Sequence, residues 1–160
     1  MDSDDLQIFL DDEAIKAEIV HLAFNTPTVE AAADAVGCQP KQIGKSLLFL
    51  ADGAPYLVIA NGTTKVGYRA LADYLAISRK RLKLANAAQV VDITGYKIGT
   101  VPPFGHPERL PTIIESRVMN QEVIYVGGGA INALMRLSTA ELLRVSMAEI
   151  VSLPHPSDLP

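Results

Sequence analysis

The sequence is poor in the residues from which many functional sites are built. Its 160 residues include no tryptophan, one cysteine and three histidines. The lone Cys38 excludes an internal disulfide, and its place after an alanine-rich segment favours a small buried residue. His21, His106 and His155 lie too far apart in the sequence to suggest a metal-binding motif. Disulfide scaffolds and His/Cys metal sites are therefore not expected.

Long apolar runs and an excess of positive charge are also missing. No run reaches the roughly 18 residues of a membrane-spanning helix, and the start "MDSDD" is acidic where a signal peptide would be basic, so we expect a cytoplasmic protein. The formal charge of −4 argues against general attraction to nucleic acid. Two local basic segments, "KVGYR" (65–69) and "RKRLK" (79–83), form either a solvated edge or a binding patch.

The composition that is present suits one globular domain. Hydrophobic residues make up 49% of the chain and charged residues 20%, which is enough apolar material for a packed core. A chain of 160 residues is too short for two ordinary domains. We expect one domain over 1–160, with a polar lead-in at 1–15 and a proline-rich tail at 152–160.

Apolar periodicity and turn residues predict short helices mixed with strands. Thr26 is a candidate N-cap, with Pro27 at the first helical position and Gly37 as the stop signal of an alanine-rich helix. "KSLLFLADGAPYLVIANG" predicts a hairpin of two central strands. The other predicted strands are "KAEIVHLAF", "LKLA", "LPTIIES" and "QEVIYVGGG". The other predicted helices are "KVGYRALADYLA", "NAAQVVDITG" and "STAELLRVSMAEI". The second of these begins with a capping box at Asn86 and Gln89, and the third with one at Ser138 and Glu141. This order favours an α+β fold around a mixed sheet flanked by short helices.

The sequence "GTVPPFGHP" (99–107) is the most unusual loop of the chain. Its prolines fix φ and its glycines allow dihedral angles closed to other residues, so its backbone N–H and C=O groups should point in set directions. Such groups can polarise a carbonyl without any titrating side chain. A rigid connector at the edge of the sheet is the alternative. His106, the one titratable residue here, is either an acid/base or hydrogen-bonding group or a cap on the turn.

Two further features are compatible with ligand binding. Lys45 begins a buried strand, where its ammonium can meet a phosphate or carboxylate as a point charge, or can simply extend into solvent. The run Gly127, Gly128 and Gly129 ends another strand and forms either a ligand contact or a tight turn. Its spacing is neither a Rossmann nor a Walker fingerprint, so nucleotide cofactors are not expected.

Four segments together resemble a known family. "QIGKSLLFL", "DITGYKIGTVPPFGH", "LPTIIES" and "EVIYVGGG", in this order and spacing, are similar to the YbaK family, also called the prolyl-tRNA synthetase-associated editing domain, and the similarity runs from about Val20 to about Val151. The resemblance implies a free-standing hydrolase that removes a wrong amino acid from tRNA, with prolyl-tRNA synthetase as a possible partner. It implies a curved mixed sheet with packed helices, and neither a metal nor a cofactor.

The resemblance also implies roles for particular residues. Lys45 matches the family's lysine at the terminal adenosine or its phosphate, and Ser46 matches the small hydroxyl residue that follows it. Gly99 and Pro103 match a Gly-x-x-x-Pro loop that holds the aminoacyl ester, with Thr100 and Val101 inside it. The implied substrate-binding residues are Phe24, Ser46, His106, Gly127, Gly128 and Gly129. Some relatives have serine at the position of Gly127, so the resemblance implies ester hydrolysis without naming the amino acid removed.

Two other functions agree with the same residues. One is a non-catalytic module that binds the tRNA acceptor end or a synthetase, although the intact Lys45 and Gly99-x-x-x-Pro103 weigh against lost activity. The other is a small-molecule aminoacyl esterase, with which the negative net charge is compatible, although the basic segments 65–69 and 79–83 could form a local patch for tRNA.

Overall fold

The computed structural model describes residues 1–158, and within them the predicted α+β class is confirmed. The helices are α1 (Ser3–Asp12), α2 (Val29–Val36), α3 (Tyr68–Tyr74), α4 (Ala87–Thr94) and α5 (Thr139–Ser146). The strands are β1 (Ala17–His21), β2 (Gly44–Ala51), β3 (Ala54–Asn61), β4 (Leu82–Leu84), β5 (Thr112–Glu115), β6 (Val123–Gly127), β7 (Ala133–Ser138) and β8 (Glu149–Val151). Short 3-10 helices span Pro40–Gln42, Arg79–Arg81, Ser116–Asn120 and Pro156–Asp158.

The predicted hairpin of β2 and β3 forms the centre of a five-stranded mixed sheet. Asp52 and Gly53 make the turn with φ of 52° and 86°, because a two-residue turn that matches the strand twist needs positive φ at both positions. The strand order is β4-β2-β3-β5-β8, in which β5 runs parallel to both of its neighbours. The central position predicted for the two apolar strands is confirmed.

The remaining strands form a second, antiparallel sheet in the order β1-β7-β6. A single parallel bridge between Ile43 and Tyr125 connects it with the start of β2. The central sheet has a buried layer on each face: Leu57 belongs to the same cluster as Ile124 of β6, whereas Val58, the next residue, belongs to the cluster of Leu71 in α3. Successive residues of a strand point to opposite faces, and this alternation also applies to the candidate site residues of β2.

The N-terminal segment, expected to be only a polar lead-in, begins with a helix. Asp2 caps α1 by accepting bonds from the N–H groups of Asp4 and Asp5. Leu6 and Leu10 lie one turn apart and are buried in the larger cluster. The acidic residues on the other faces of α1 obscure this two-residue apolar face in the sequence.

The structure differs from the sequence prediction at α2, β7 and α5. The cap of α2 is Thr28, whose Oγ1 accepts from the N–H of Ala31, so Thr26 and Pro27 precede the helix. The segment "ALMRLS" (133–138) forms β7 without having been predicted as a strand. Helix α5 ends at Ser146. Met147, the next residue, has a φ of 52°, and the chain then continues into β8. The side chain of Glu141 accepts from the Lys16 N–H and from Arg144 instead of closing the predicted capping box on Ser138.

The proline-rich tail is attached to the central sheet by a buried carboxylate. The Glu115 side chain, 1% exposed, accepts from the N–H of Leu153 at 2.8 Å and from Nε of Arg117 at 2.6 Å. Burial raises the pKa of Glu115, but these hydrogen bonds outweigh burial and leave it below its ordinary value. The last two residues of the predicted tail, 159 and 160, lie outside the described residues.

We expect Glu115→Gln to lower the free energy of unfolding by about 3 kcal/mol, since it removes the charge that partners the half-buried Arg117. The wild-type contribution is present above the unfolded pKa of Glu115 and is lost as the pH falls through the lower folded pKa. Urea unfolding at pH 7 and pH 3 measures both effects. The exposed Glu108→Gln is the control, and equal losses in the two variants would contradict the role of Glu115.

Candidate functional site

The loop at 99–103 is held in shape by its own hydrogen bonds. Gly99 has a φ of 85°, which reverses the chain after helix α4. Both the N–H and the hydroxyl of Thr100 donate to the carbonyl of Lys97, at 3.0 and 2.7 Å. Gly99 is exposed, whereas Val101 is 5% exposed and Pro103 is buried. The loop is therefore a fixed ribbon that presents its glycine to solvent.

The glycine run at the end of β6 packs directly on this loop. The N–H of Gly129 donates to the carbonyl of Thr100 at 2.9 Å. A Cβ on Gly127 would overlap the carbonyl oxygen of Val101 and lie 2.7 Å from its carbonyl carbon. The two segments that were predicted as separate parts of one site are thus brought together, and Gly127 is required by close backbone approach.

A donor on the loop has no partner. Within residues 1–158, the backbone N–H of Val101 donates to no protein atom, although Val101 is almost fully buried. Buried N–H groups are nearly always paired. Unpaired donors beside a cavity are the means by which a backbone stabilises negative charge on a ligand oxygen.

Ser46 and Val101 share a small apolar cavity of about 50 Å³. The hydroxyl of Ser46 is buried without a hydrogen-bond partner and has almost no accessible surface. Leu84 and Ile98 also line the cavity and are 46% and 58% exposed, so they stand at its opening. The other lining residues are Leu47, Leu48, Leu57, Ala85 and Val90.

Lys45 lies in a second, larger groove of about 600 Å³ on the other face of β2. Its Nζ donates to the carbonyl of Thr64 at 2.9 Å, and burial lowers the pKa of its ammonium below the ordinary lysine value. Three further cationic residues, from both basic segments of the sequence, make this groove basic: Lys65, Arg69 and Arg79. His155 of the tail also lines it. Anions are the ligands that such a groove favours.

The groove and the cavity share one lining residue, Leu47. Lys45 and Ser46 are consecutive in β2 and point to opposite faces of the sheet. Leu47 lines both spaces, so the basic groove and the apolar cavity lie next to each other around the strand. A ligand with a charged part and a small apolar part could occupy both.

The structure places His106 away from both of these spaces. Its Nε2 lies 2.8 Å from the carbonyl oxygen of Pro102, and its ring meets Tyr96 edge to face. Burial lowers the pKa of His106, which favours a neutral imidazole that donates to Pro102. His106 lines a third cavity, of about 340 Å³, together with Phe9 and Phe104. It therefore restrains the loop through Pro102, and its predicted contact with substrate stays a prediction.

Phe24 is also separate from the cavity of Ser46. It follows β1, is 64% exposed, and is absent from the lining of all three cavities. The residues that sequence reasoning did not single out are Ile98 and Leu84 at the opening and His155 in the groove. Arg79, whose guanidinium lies 4.8 Å from the ring centre of Tyr68, was visible only as part of a basic run.

Neither a metal-binding cluster nor a membrane-spanning helix is found among the described residues. Among residues 1–158, no three His, Cys, Asp or Glu side chains come together in a way that could hold a metal ion. No helix in that range is both long and apolar enough to cross a membrane.

Similarity to known proteins identifies the family of this chain. The model of the aminoacyl-tRNA editing domain matches residues 23–145, a range that includes Lys45, the loop and the glycine run. The chain belongs to the aminoacyl-tRNA editing domain family. The resemblance inferred from the four sequence segments is confirmed.

Relatives of the editing domain include free-standing proteins and parts of larger enzymes. The uncharacterized protein YwhH of Bacillus subtilis is 24% identical over 134 residues, which cover 83% of each chain. A proline–tRNA ligase of Desulfotalea psychrophila is 30% identical over 65% of this chain, and the match spans 18% of the ligase. A solved structure described as a proposed trans-editing enzyme for prolyl-tRNA synthetase is 28% identical, covers 96% of both chains and has a TM-score of 0.89.

Gly127→Ala should force the loop and the glycine run apart, because the new methyl group would overlap backbone atoms of Val101 that cannot rotate away. We expect a loss of about 1–3 kcal/mol in the free energy of unfolding and faster amide exchange at Gly129. Gly37→Ala is the comparison: a Cβ there has no atom within 4 Å, so its cost should be only that of the left-handed backbone. Unchanged exchange at Gly129 would contradict the close approach.

His106→Leu should loosen the loop and remove a pH dependence. Burial lowers the pKa of His106, so the unfolded chain binds a proton at this residue more readily than the folded chain does. The stability of the wild type therefore falls as the pH drops from about 7 through the ordinary pKa of 6.5. The variant should lose about 1 kcal/mol at pH 7.5 from the missing hydrogen bond and lose less than the wild type on going to pH 5.5. Thermal unfolding at the two pH values measures this, with the exposed His21→Leu as control. A variant whose pH dependence matches the wild type would exclude His106 as its source.

Proposed function

We propose that this editing domain hydrolyses the ester of mischarged aminoacyl-tRNA in trans, with tRNA(Pro) carrying a wrong small amino acid as the favoured substrate. The observation that supports this most is the unpaired N–H of Val101, a residue that lines a small cavity next to a basic groove. A charged tRNA end has three corresponding parts: phosphates, an ester carbonyl and an amino-acid side chain.

The basic groove is suited to the phosphates of the tRNA end. Lys45, Lys65, Arg69 and Arg79 converge there, although the whole chain has a formal charge of −4. Attraction would thus be local and directed to this face, while the remaining surface repels nucleic acid. Lys45 is the innermost candidate because it is half-buried and fixed by Thr64. The tRNA partner and any docking synthetase remain part of the proposal.

The loop backbone would stabilise the charge that develops on the ester oxygen. In this mechanism a water molecule adds to the carbonyl carbon, the N–H of Val101 donates to the resulting oxyanion, and the bond to the ribose oxygen breaks. The ribose oxygen takes up the proton released by the water, so the products are the free amino acid and the tRNA with its hydroxyl restored. A preformed donor of this kind is worth roughly 10²- to 10³-fold in rate. The neighbouring ribose hydroxyl would orient the water, so no general-base side chain is needed.

Lys45→Met tests the phosphate assignment. It keeps the length of the side chain and removes the charge, so we expect kcat/KM for deacylation to fall at least 10-fold. The dependence of the logarithm of affinity on the logarithm of salt concentration should become shallower by about 0.7, the value for one phosphate contact on a single strand. Lys16→Met, an exposed lysine beside β1 and outside the groove, should match the wild type in both measurements.

A panel of mischarged tRNAs distinguishes the proposed function from its alternatives. Hydrolysis of at least one misacylated tRNA by the wild type, weakened in Lys45→Met but not in Lys16→Met, supports it. Binding of uncharged tRNA without hydrolysis of any ester would indicate a non-catalytic module. Cleavage of short amino-acid esters that tRNA does not inhibit would indicate a small-molecule esterase. Equal rates for wild type and Lys45→Met would remove the lysine from the mechanism.

A further inference from the structure

The proline-rich tail is held in one position beside the basic groove. The N–H of Leu153 donates to the buried carboxylate of Glu115 at 2.8 Å, and the carbonyl of Leu153 accepts from the N–H of Gly67 at 3.0 Å. A Cβ on Gly67 would overlap the carbonyl oxygen of Pro154, so the tail and the start of α3 are in backbone contact. The tail is therefore a fixed wall of the groove.

His155 is the polar side chain that the tail contributes to this groove. Its Nδ1 accepts from the backbone N–H of Ser157 at 3.0 Å and lies 2.8 Å from the hydroxyl of the same residue. A backbone N–H can only donate, so Nδ1 carries no proton, and the ring proton of the neutral imidazole is on Nε2. In this arrangement His155 is a neutral donor with a fixed ring.

The donor on Nε2 is accessible and has no partner among residues 1–158. The buried side-chain atoms that lack a partner in this range belong to Ser46, Tyr96 and Arg117, so Nε2 of the half-buried His155 retains accessible surface. Among the described residues, no aspartate or glutamate lines the groove. Asp158 accepts from the backbone N–H of His155 and pairs with Arg117. An acceptor for Nε2–H can therefore come from a ligand in the groove.

We propose that His155 binds the tRNA end by donating its Nε2–H to a phosphate oxygen in the basic groove. This inference rests on the proposed function, because it takes tRNA as the ligand of the groove. The match to the editing-domain model ends at residue 145 and does not include the tail. Lys45 attracts a phosphate as a point charge, whereas a ring fixed by Ser157 offers one N–H in one direction. Neutral donors of this kind position a nucleic-acid backbone on a protein.

Two substitutions separate the roles of the two ring nitrogens. The amide of asparagine takes the position of Nδ1, so His155→Asn keeps an acceptor for the N–H of Ser157, as in an Asx turn, and removes the outer donor. The amide of glutamine takes the position of Nε2, so His155→Gln keeps the donor and removes that acceptor. We expect His155→Asn to melt like the wild type but to bind uncharged tRNA(Pro) about 10-fold more weakly, the effect of one hydrogen bond to a charged group. His155→Gln should keep most of the wild-type affinity.

The salt dependence of binding distinguishes a neutral donor from a cation. A neutral donor releases no counterion, so His155→Asn should keep the wild-type slope of log affinity on log salt concentration, whereas Lys45→Met should make it shallower by about 0.7. In deacylation of a misacylated tRNA(Pro), the loss in His155→Asn should appear in KM more than in kcat, because this contact forms before the ester reacts. His21→Asn, an exposed histidine outside the groove, should match the wild type in every measurement.

Three results would overturn the inference while leaving the proposed function intact. Wild-type affinity in His155→Asn would show that the ring lines the groove without binding tRNA. A shallower salt slope in this variant would show that His155 acts as a cation. Equal losses of affinity in His155→Asn and His155→Gln would show that tRNA does not use the donor on Nε2. If the wild type neither binds nor hydrolyses any tRNA, the proposed function itself is refuted, together with the groove ligand on which this inference depends.

Discussion

The packing of loop 99–103 against the glycine run 127–129 is the constraint on which the rest of the site depends. One hydrogen bond, from the N–H of Gly129 to the carbonyl of Thr100, joins them. The missing side chain of Gly127 lets the backbones touch. Because the carbonyls of Lys97 and Thr100 are engaged by donors, the loop cannot turn its peptide groups to pair the N–H of Val101. The fold thus keeps the N–H of Val101 without a protein partner, within residues 1–158, in a residue that lines the cavity.

The alternation of β2 separates two kinds of recognition within two residues. Lys45 faces the basic groove and Ser46 faces the apolar cavity, since consecutive side chains of a strand point to opposite sides. The groove would hold the part of a ligand that is common to all tRNA ends, and the cavity would hold the part that differs. The two faces of one strand therefore border spaces of different chemistry, one basic and one apolar.

Much of this arrangement could be predicted from local sequence signals, and the exceptions have physical causes. The Asp52-Gly53 turn, the cap at Asn86 and the stop at Gly95 are encoded by a few adjacent residues, so their patterns are reliable. Strand β7 forms a local hairpin with β6 that the prediction missed, and its other partner, β1, lies more than 100 residues away, a pairing that no local pattern records. The residues of the basic groove come from β2, the segment before α3, a 3-10 helix and the tail. The charge runs in the sequence identified most of these residues, but they could not show that the residues lie together in one groove. The resemblance to editing domains assigned the loop and the glycine run to one site, while their direct packing and the positions of His106 and Phe24 depend on tertiary contacts.

The N-terminal helix shows how far the support of the site extends beyond its own residues. The α-amino group of Met1 donates to the carbonyl of Gly95 at 3.0 Å, just before the loop. The ring of Phe9 lies against Gly105, just after the loop, where a Cβ would come within 3.2 Å of it. The backbone of Asp2 and Ser3 packs on Gly129, leaving no space for a side chain there. One short helix therefore contacts both ends of the loop and the turn opposite it. Since Leu6 and Leu10 fix this helix in the core, their burial also supports the position of the loop and of the glycine run.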